Sequence, residues 1–276
     1  MISYIKKKIK SNDSVSKVVR YLIIPHTMYK NTTFRLKAYL RTKGIMSKKY
    51  TRLQEFKNAH LGKRCFIVAT GPSLKVSDLN KLKNEITFGM NSIYLAYKDT
   101  EWRPTYYAIQ DPLVYEKIHH ELRTEDFKVG FFGSIIKKNK PKGDNWYEFP
   151  LDLLNHQIPR AKLNTKFSDD IVHRVYSGYN IAYTTLQIAV YMGFKDIYLI
   201  GADCNYLGEK KYFANDENRG AEKYFTKQFL TNNSDKFLYA YTVAKDYCDS
   251  KNIKIYNATR GGLLEVFPRV DFDDLF

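Results

Sequence analysis

The chain has 276 residues, 44% hydrophobic and 27% charged, which supplies apolar material for one sizeable core and too little length for two ordinary domains with linkers. Fourteen Gly, eight Pro and the lack of any repeat period exclude collagen-like and low-complexity classes. Three scattered cysteines (Cys65, Cys204, Cys248) argue against a disulfide scaffold or structural zinc site and fit a reducing cytosol, while no apolar run reaches the roughly 18 residues of a membrane span.

The net charge of +16 is concentrated at one end. Residues 1–64 hold 17 Lys and Arg against two acids, Asp13 and Glu55, a net of +15, and the remainder is nearly neutral. The chain therefore divides into a basic helical extension, residues 1–60, and a body, residues 61–276. In the extension, Lys6-Lys7-Lys8 and Lys10 precede the apolar stretch from Val18 to Ile24, and Phe34, Leu36, Tyr39 and Leu40 follow among further cations. Three readings compete: a nucleic-acid arm, a helix that merely packs on the body, and an interfacial helix on an anionic membrane face. No zinc-finger, helix-turn-helix or RNP pattern supports the first. Basic residues beside apolar ones favour the last, with no membrane span and no signal-peptide core.

The body alternates short apolar runs with helical segments. Residues 65–69 read as a buried strand, followed by a short helix with Ser77-Asp78 as its cap. Further strands are predicted at 86–90, 106–109 and 128–132, with helices at 92–97 and 113–122 between them. Residues 133–174 read as loop. A helix at 178–192, with Gly193 as its C′ residue, leads to a strand at 196–200. A polar stretch, about 204–235, reads as a lid. A helix at 236–250, with Phe237, Tyr241, Ala244 and Cys248 on one face, and a strand at 253–256 complete the pattern. Such alternation predicts an α/β fold with a doubly wound, mostly parallel sheet, which gathers ligands at the carboxyl ends of its strands.

Those ends carry the candidate chemistry. Thr70-Gly71-Pro72-Ser73 follows the first strand, where a glycine lets backbone N–H groups approach an anion. It is neither a GxGxxG fingerprint nor a P-loop with its lysine. Asn91 follows the second strand, and Gln110-Asp111 the third. Asp111 reads as a helix cap first and as a base or ligand contact second. Arg174, Ser177 and Gly178 precede the long helix, and Asp203 follows the strand at 196–200. Cys204, beside it, reads as a packed thiol.

The segments ATGPSL (69–74), FGMNSIY (88–94), RVYSGYNIAYTTLQIAVYMGFKDIYLIGAD (174–203) and the Tyr206/Tyr212 pair together resemble the bacterial sialyltransferases of glycosyltransferase family 42, with the related motility accessory factors and polysaccharide-locus proteins. The resemblance implies a Rossmann-like variant GT-A fold and inverting transfer from a CMP-activated, sialic-acid-like (nonulosonic acid) sugar, with no cofactor and no required divalent metal. It implies that Thr70, Gly71, Ser73, Asn91, Ser177, Gly178 and Asp203 line the nucleotide. Tyr206 and Tyr212 would donate to the departing phosphate, with Arg174 as a further cation.

Two features depart from the family. Thr70 stands where Asn is usual. All six histidines lie at or before His173, so none fills the family's general-base position in the lid. Asp216, Glu217 and Glu222 in the lid, and Asp111, His119 or His120 elsewhere, are the alternatives for accepting the acceptor's proton. Arg260, in Thr259-Arg260-Gly261-Gly262, reads equally as a ligand contact or a turn anchor.

The expected protein is a cytoplasmic enzyme on the inner face of the membrane. Its partners would be a nucleotide-sugar donor, a glycan or glycolipid acceptor and anionic lipid, with no nucleic acid; a homo-oligomer stays open. The alternatives are a hydroxymethylpterin diphosphokinase-like enzyme, since related archaeal proteins share the GPS-type loop, and a non-catalytic nucleotide-sugar-binding protein at the membrane.

Overall fold

A computed structural model describes residues 13–45, 48–153, 165–205, 212–214 and 234–276, the side chains of residues 13–24, 26, 27 and 234 excepted. A long helix, α1 (Asp13–Thr42), and a 3₁₀ segment (Lys48–Phe56) precede the sheet. Tyr50, Leu53 and Phe56 of that segment are buried in the core of the body.

Among the described residues, seven strands form one sheet: β1 (Arg64–Val68), β2 (Thr87–Met90), β3 (Tyr106–Ile109), β4 (Val129–Gly133), β5 (Trp146–Phe149), β8 (Asp196–Ile200) and β9 (Lys254–Asn257). Two further strands, β6 (Leu151–Asp152) and β7 (Val175–Tyr176), pair separately. The sheet order is β5-β4-β3-β2-β1-β8-β9 and every pairing is parallel. The order reverses between β1 and β8, whose register runs from Arg64 opposite Asp196 to Val68 opposite Ile200.

Alternation along β1 shows why the sheet needs helices on both sides. Cys65 and Ile67 face a layer containing α4 (Ile181–Tyr191) and α5 (Ser234–Ser250). Phe66 and Val68 face the opposite layer, with α2 (Val76–Lys81), α3 (Pro112–Ile118) and the C-terminal Phe272. Strands buried on both faces lack the polar half of an amphipathic pattern, which is why they read as continuous apolar runs. All eleven residues of α4 are buried. Its polar members are therefore bonded inside the protein: Thr184 Oγ1 donates to Gln110 Oε1 at 2.6 Å, and Gln187 accepts from the N–H groups of Ser168 and Tyr176 at 3.1 and 3.0 Å.

Two expectations are corrected. The segment read as loop contains β5 and β6, and β7 follows directly after it. The first short helix has Lys75, not Ser77-Asp78, at its N-cap, with no side-chain cap. Asp78 is instead buried and gripped by Arg260, at 2.8 Å from Nε and 3.0 Å from Nη2.

Arg260 Nη2 also donates to Asp273 at 2.7 Å, and Lys81 Nζ meets the same carboxylate at 2.7 Å, so this cluster staples the tail onto α2. Arg260→Ala is expected to cost about 1–3 kcal/mol in urea unfolding, because Asp78 would be left buried without its guanidinium. Arg260, then Lys81, hold the Asp273 carboxyl far below the usual range. A depressed folded value stabilises above the unfolded value and is lost as pH falls, so the mutational difference should shrink below about pH 4.

Candidate functional site

The carboxyl ends of β1 and β8 are knotted together. Gly71 N–H donates to Gly201 O at 2.9 Å, and Ser73 Oγ donates to Asp203 Oδ2 at 2.8 Å. A Cβ on Gly71 would lie 2.1 Å from that Oδ2 and 2.4 Å from Gly201 O. Glycine is thus required here for the approach of the carboxylate. The β9 end joins the same knot: Ala202 N–H donates to Thr259 Oγ1 at 3.1 Å, and Leu263 N–H to Asp203 O at 2.7 Å. Asp203 is 7% exposed; burial raises its carboxyl above the ordinary value, against the Ser73 hydrogen bonds that lower it.

A cavity opens beside this knot, at the β1/β8 reversal where a doubly wound sheet gathers its ligands. Of the expected site residues, Thr70, Gly71, Asn91, Asp111, Asp203 and Tyr212 line it. Asn91 has φ +47°, a conformation that Asn tolerates, and its carbonyl accepts from the buried Tyr107 hydroxyl. Asp111 caps α3, its Oδ1 accepting from Leu113 N–H at 2.7 Å and Val114 N–H at 3.3 Å. Phe213 N–H donates to Thr70 O at 3.2 Å, which ties the 212–214 segment, and with it Tyr212, to the loop after β1.

Other expected residues stand apart from the cavity lining. Ser73 acts through Asp203, and Ser177 is buried behind the lining. Gly178 (φ +50°) is required by packing, since a Cβ would fall 1.9 Å from the Tyr183 ring. Arg174 is a correction: it donates to the Tyr176 hydroxyl at 2.8 Å, stands 3.6 Å from Asp152 and lies over Phe34 of α1. Its guanidinium serves the seam between α1 and the body. Arg260 is likewise spent on Asp78 and Asp273. His119 lies against Tyr115 with the rings tilted by 37°, and His120 is exposed beside Glu121. Tyr206, Asp216, Glu217 and Glu222 lie outside the described residues.

The site also contains residues that strand-end position alone did not single out. Asn180 caps α4, its Oδ1 accepting from Tyr183 N–H at 2.8 Å and from the Tyr241 hydroxyl at 3.2 Å. Ser92 is 1% exposed, its hydroxyl has no partner among the described residues, and it lines the cavity. Asn205 and Tyr241, with Gln110 from the end of β3 as expected, complete the polar lining, against the apolar Val114, Ile181 and Phe237. Asn180 had a signal, the Asn-x-x-Tyr start of a long helix. Tyr241 had none, because α5 reaches the site only through the fold.

The model of the 6-hydroxymethylpterin diphosphokinase MptE-like family matches residues 39–209, from the end of α1 through β8 and its loop. The chain belongs to the MptE-like family. No curated protein matches this MptE-like chain. Among solved structures it is similar to the MAf glycosyltransferase from Magnetospirillum magneticum AMB-1, at 12% identity and a TM-score of 0.48 over 80% of this chain. This chain spans only 35% of that protein's length. It is also similar to the sialyltransferase CstII from Campylobacter jejuni, solved with cytidine-5'-monophosphate, at 17% identity and a TM-score of 0.45, covering 76% and 85% of the two chains. The α-2,3-sialyltransferase Cst-I of the same organism gives the same identity and score over 76% and 81%.

Proposed function

We propose that this MptE-like protein is a transferase that binds a CMP-activated nonulosonic acid at the β1/β8 cavity and passes the sugar, with inversion, to an acceptor hydroxyl on a glycan or glycolipid. The observation that carries this reading is the make-up of the lining. Amides of Asn91, Gln110 and Asn180, the buried Ser92 hydroxyl and the Tyr212 phenol converge on one cavity, and both carboxyls there, Asp111 and Asp203, already accept from protein donors. Neutral donors and acceptors suit a base, a ribose and one phosphodiester. A triphosphate would ask for more positive charge.

The acceptor oxygen attacks the anomeric carbon as the bond from that carbon to the phosphate oxygen breaks, and the electron pair leaves with CMP. Tyr212, and Tyr206 from the lid, would donate hydrogen bonds to the phosphate as its charge grows. The proton passes to a carboxylate, for which Asp216 and Glu217 are the lid candidates and Asp111 the one at the cavity.

The family's description supports a second reading, transfer of a diphosphate from ATP to a hydroxymethylpterin. One assay separates them. Incubation with CMP-sialic acid, CMP-Kdo, UDP- and GDP-sugars, and with ATP, a divalent cation and 6-hydroxymethylpterin, is expected to release CMP alone. AMP formed only in the presence of the pterin would establish the second reading, and nucleotide binding without turnover would leave a sensor. Tyr212→Phe is expected to lower kcat at least about 10-fold with KM little changed, since a donor acting on developing charge contributes mainly in the transition state.

A further inference from the structure

The basic extension and the body meet along one side of α1. Ala38 is buried there, Arg41 Nη2 donates to His173 O at 2.6 Å, and the Arg41 and Arg174 guanidiniums both lie over the Phe34 ring at 5.8 Å. At roughly 100° per residue, Phe34, Ala38 and Arg41 occupy a strip about 60° wide. Among the described side chains of α1, the large apolar ones left exposed lie on the other side. Met28 (58% exposed), Tyr29 (68%), Leu36 (55%) and Tyr39 (57%) fall within an arc of about 100°, centred nearly opposite the docked strip. Ile45, just beyond the helix, is 69% exposed. Exposed cations stand on either side of this stripe: Arg35 about 20° from one margin, Lys37 about 80° beyond the other, and Lys43 at its end, over the Tyr39 ring.

An apolar strip turned to solvent on a helix whose other side is committed to the body needs a partner. The charge selects which one. Residues 1–64 carry a net +15, so the partner is anionic; the centre of the face is apolar, so it must also accept hydrocarbon. Phosphate backbones meet the first condition and not the second. No described helix is long and apolar enough to cross a membrane, and a helix with an apolar strip edged by cations lies in the plane of the interface instead.

We infer that α1 is an interfacial anchor that lays Met28, Tyr29, Leu36 and Tyr39 into an anionic lipid surface, with Arg35, Lys37 and Lys43 at the level of the headgroups. Fixed to the body through Arg41 and Arg174, the helix sets the orientation of the body on the bilayer as well as its attachment. The inference is independent of the reaction at the cavity.

Sedimentation of the full chain with vesicles tests it. Vesicles containing 30% phosphatidylglycerol in phosphatidylcholine are expected to bind at least about 10-fold more protein than pure phosphatidylcholine, with most of the difference lost in 0.5 M salt. Leu36→Asp with Tyr39→Asp, and separately Arg35→Glu with Lys37→Glu, should each reduce binding at least about 10-fold without changing the melting temperature, since all four side chains are exposed. Equal binding to both vesicle types, no binding to either, or full binding by the Asp pair would overturn the inference. So would a stable dimer that the Asp pair dissociates, which would assign the strip to a second copy of the chain.

Discussion

Gly71→Ala is expected to destabilise the protein by about 1–3 kcal/mol and to abolish measurable nucleotide binding at concentrations that saturate the wild type. The added methyl has nowhere to go: it meets the Gly201 backbone carbonyl at 2.4 Å and the Asp203 carboxylate at 2.1 Å, and that carboxylate is held in place by the Ser73 hydroxyl. Relief demands that the loops after β1 and β8 separate, which breaks the 2.9 Å bond from Gly71 N–H to Gly201 O. Overpacking of this kind typically costs the amount stated. The second effect follows from where the loops sit, because Thr70 and Pro72 on one side and Ala202 and Cys204 on the other form part of the cavity wall. Thermal unfolding and a titration with CMP measure the two parts. Gly261→Ala, where a Cβ would meet nothing within 4 Å, is the matched control and should change neither. A Gly71→Ala protein with wild-type melting and affinity would show that the knot yields freely.

Asp203→Asn is expected to separate function from stability. The wild-type carboxyl is 7% exposed, and its burial raises it above the ordinary value. The sign follows from linkage. A carboxyl that binds its proton more tightly when folded favours the folded state most at low pH, and that advantage fades as pH rises through the unfolded and then the folded value. At neutral pH the ionised, buried group is therefore a cost, and the amide removes it while still accepting from Ser73. Melting at pH 7 should be unchanged or raised, and the gap to wild type should close on acidification toward pH 4. If the carboxylate also accepts from the nucleotide, CMP affinity should fall about 10- to 100-fold, as expected for a hydrogen bond to a charged group. A lower melting temperature together with intact affinity would make Asp203 a purely structural clasp.

The two substitutions bear on the same assembly from opposite sides. Ser73, Gly71, Gly201, Asp203 and Thr259 come from the ends of three adjacent strands, β1, β8 and β9. A crevice forms where a sheet reverses its order, because neighbouring loops turn away from one another. The chain closes the floor of that crevice with one buried carboxylate and leaves Asn91, Ser92, Gln110 and Asn180 along its sides.

How far the sequence leads differs by element. The strands at 106–109 and 196–200 are legible to the residue, because a strand buried on both faces shows an unbroken apolar run. The long helix is legible as a helix ending at Gly193, where φ is +87°, although the reading began it at 178 and the structure caps it at Asn180. Its partners are not. The expected apolar side held Ile181, Leu186, Ala189 and Met192, yet Thr184 and Gln187 are buried as well, because the sheet covers one side and α5 another. β5 escapes notice because four residues, Trp146–Phe149, follow a lysine-rich loop and leave too short a window for a period to show.

Within the site, strand-end position brought forward Thr70, Gly71, Asn91, Asp111 and Asp203, all of which line the cavity. Arg174, which the resemblance put at the phosphate, lies at the seam with α1, and Arg260 takes the anchoring role of its two readings. An arginine is a ready ligand for any carboxylate or carbonyl it can reach, and its partner can be 182 residues away, as Asp78 is from Arg260. Order along the chain determined the parallel sheet, the reversal of its strands and the edge at which ligands gather. Which side chains face that edge, and which are consumed in holding it together, was decided only by tertiary contacts, since direction and distance between remote residues have no expression in a one-dimensional pattern.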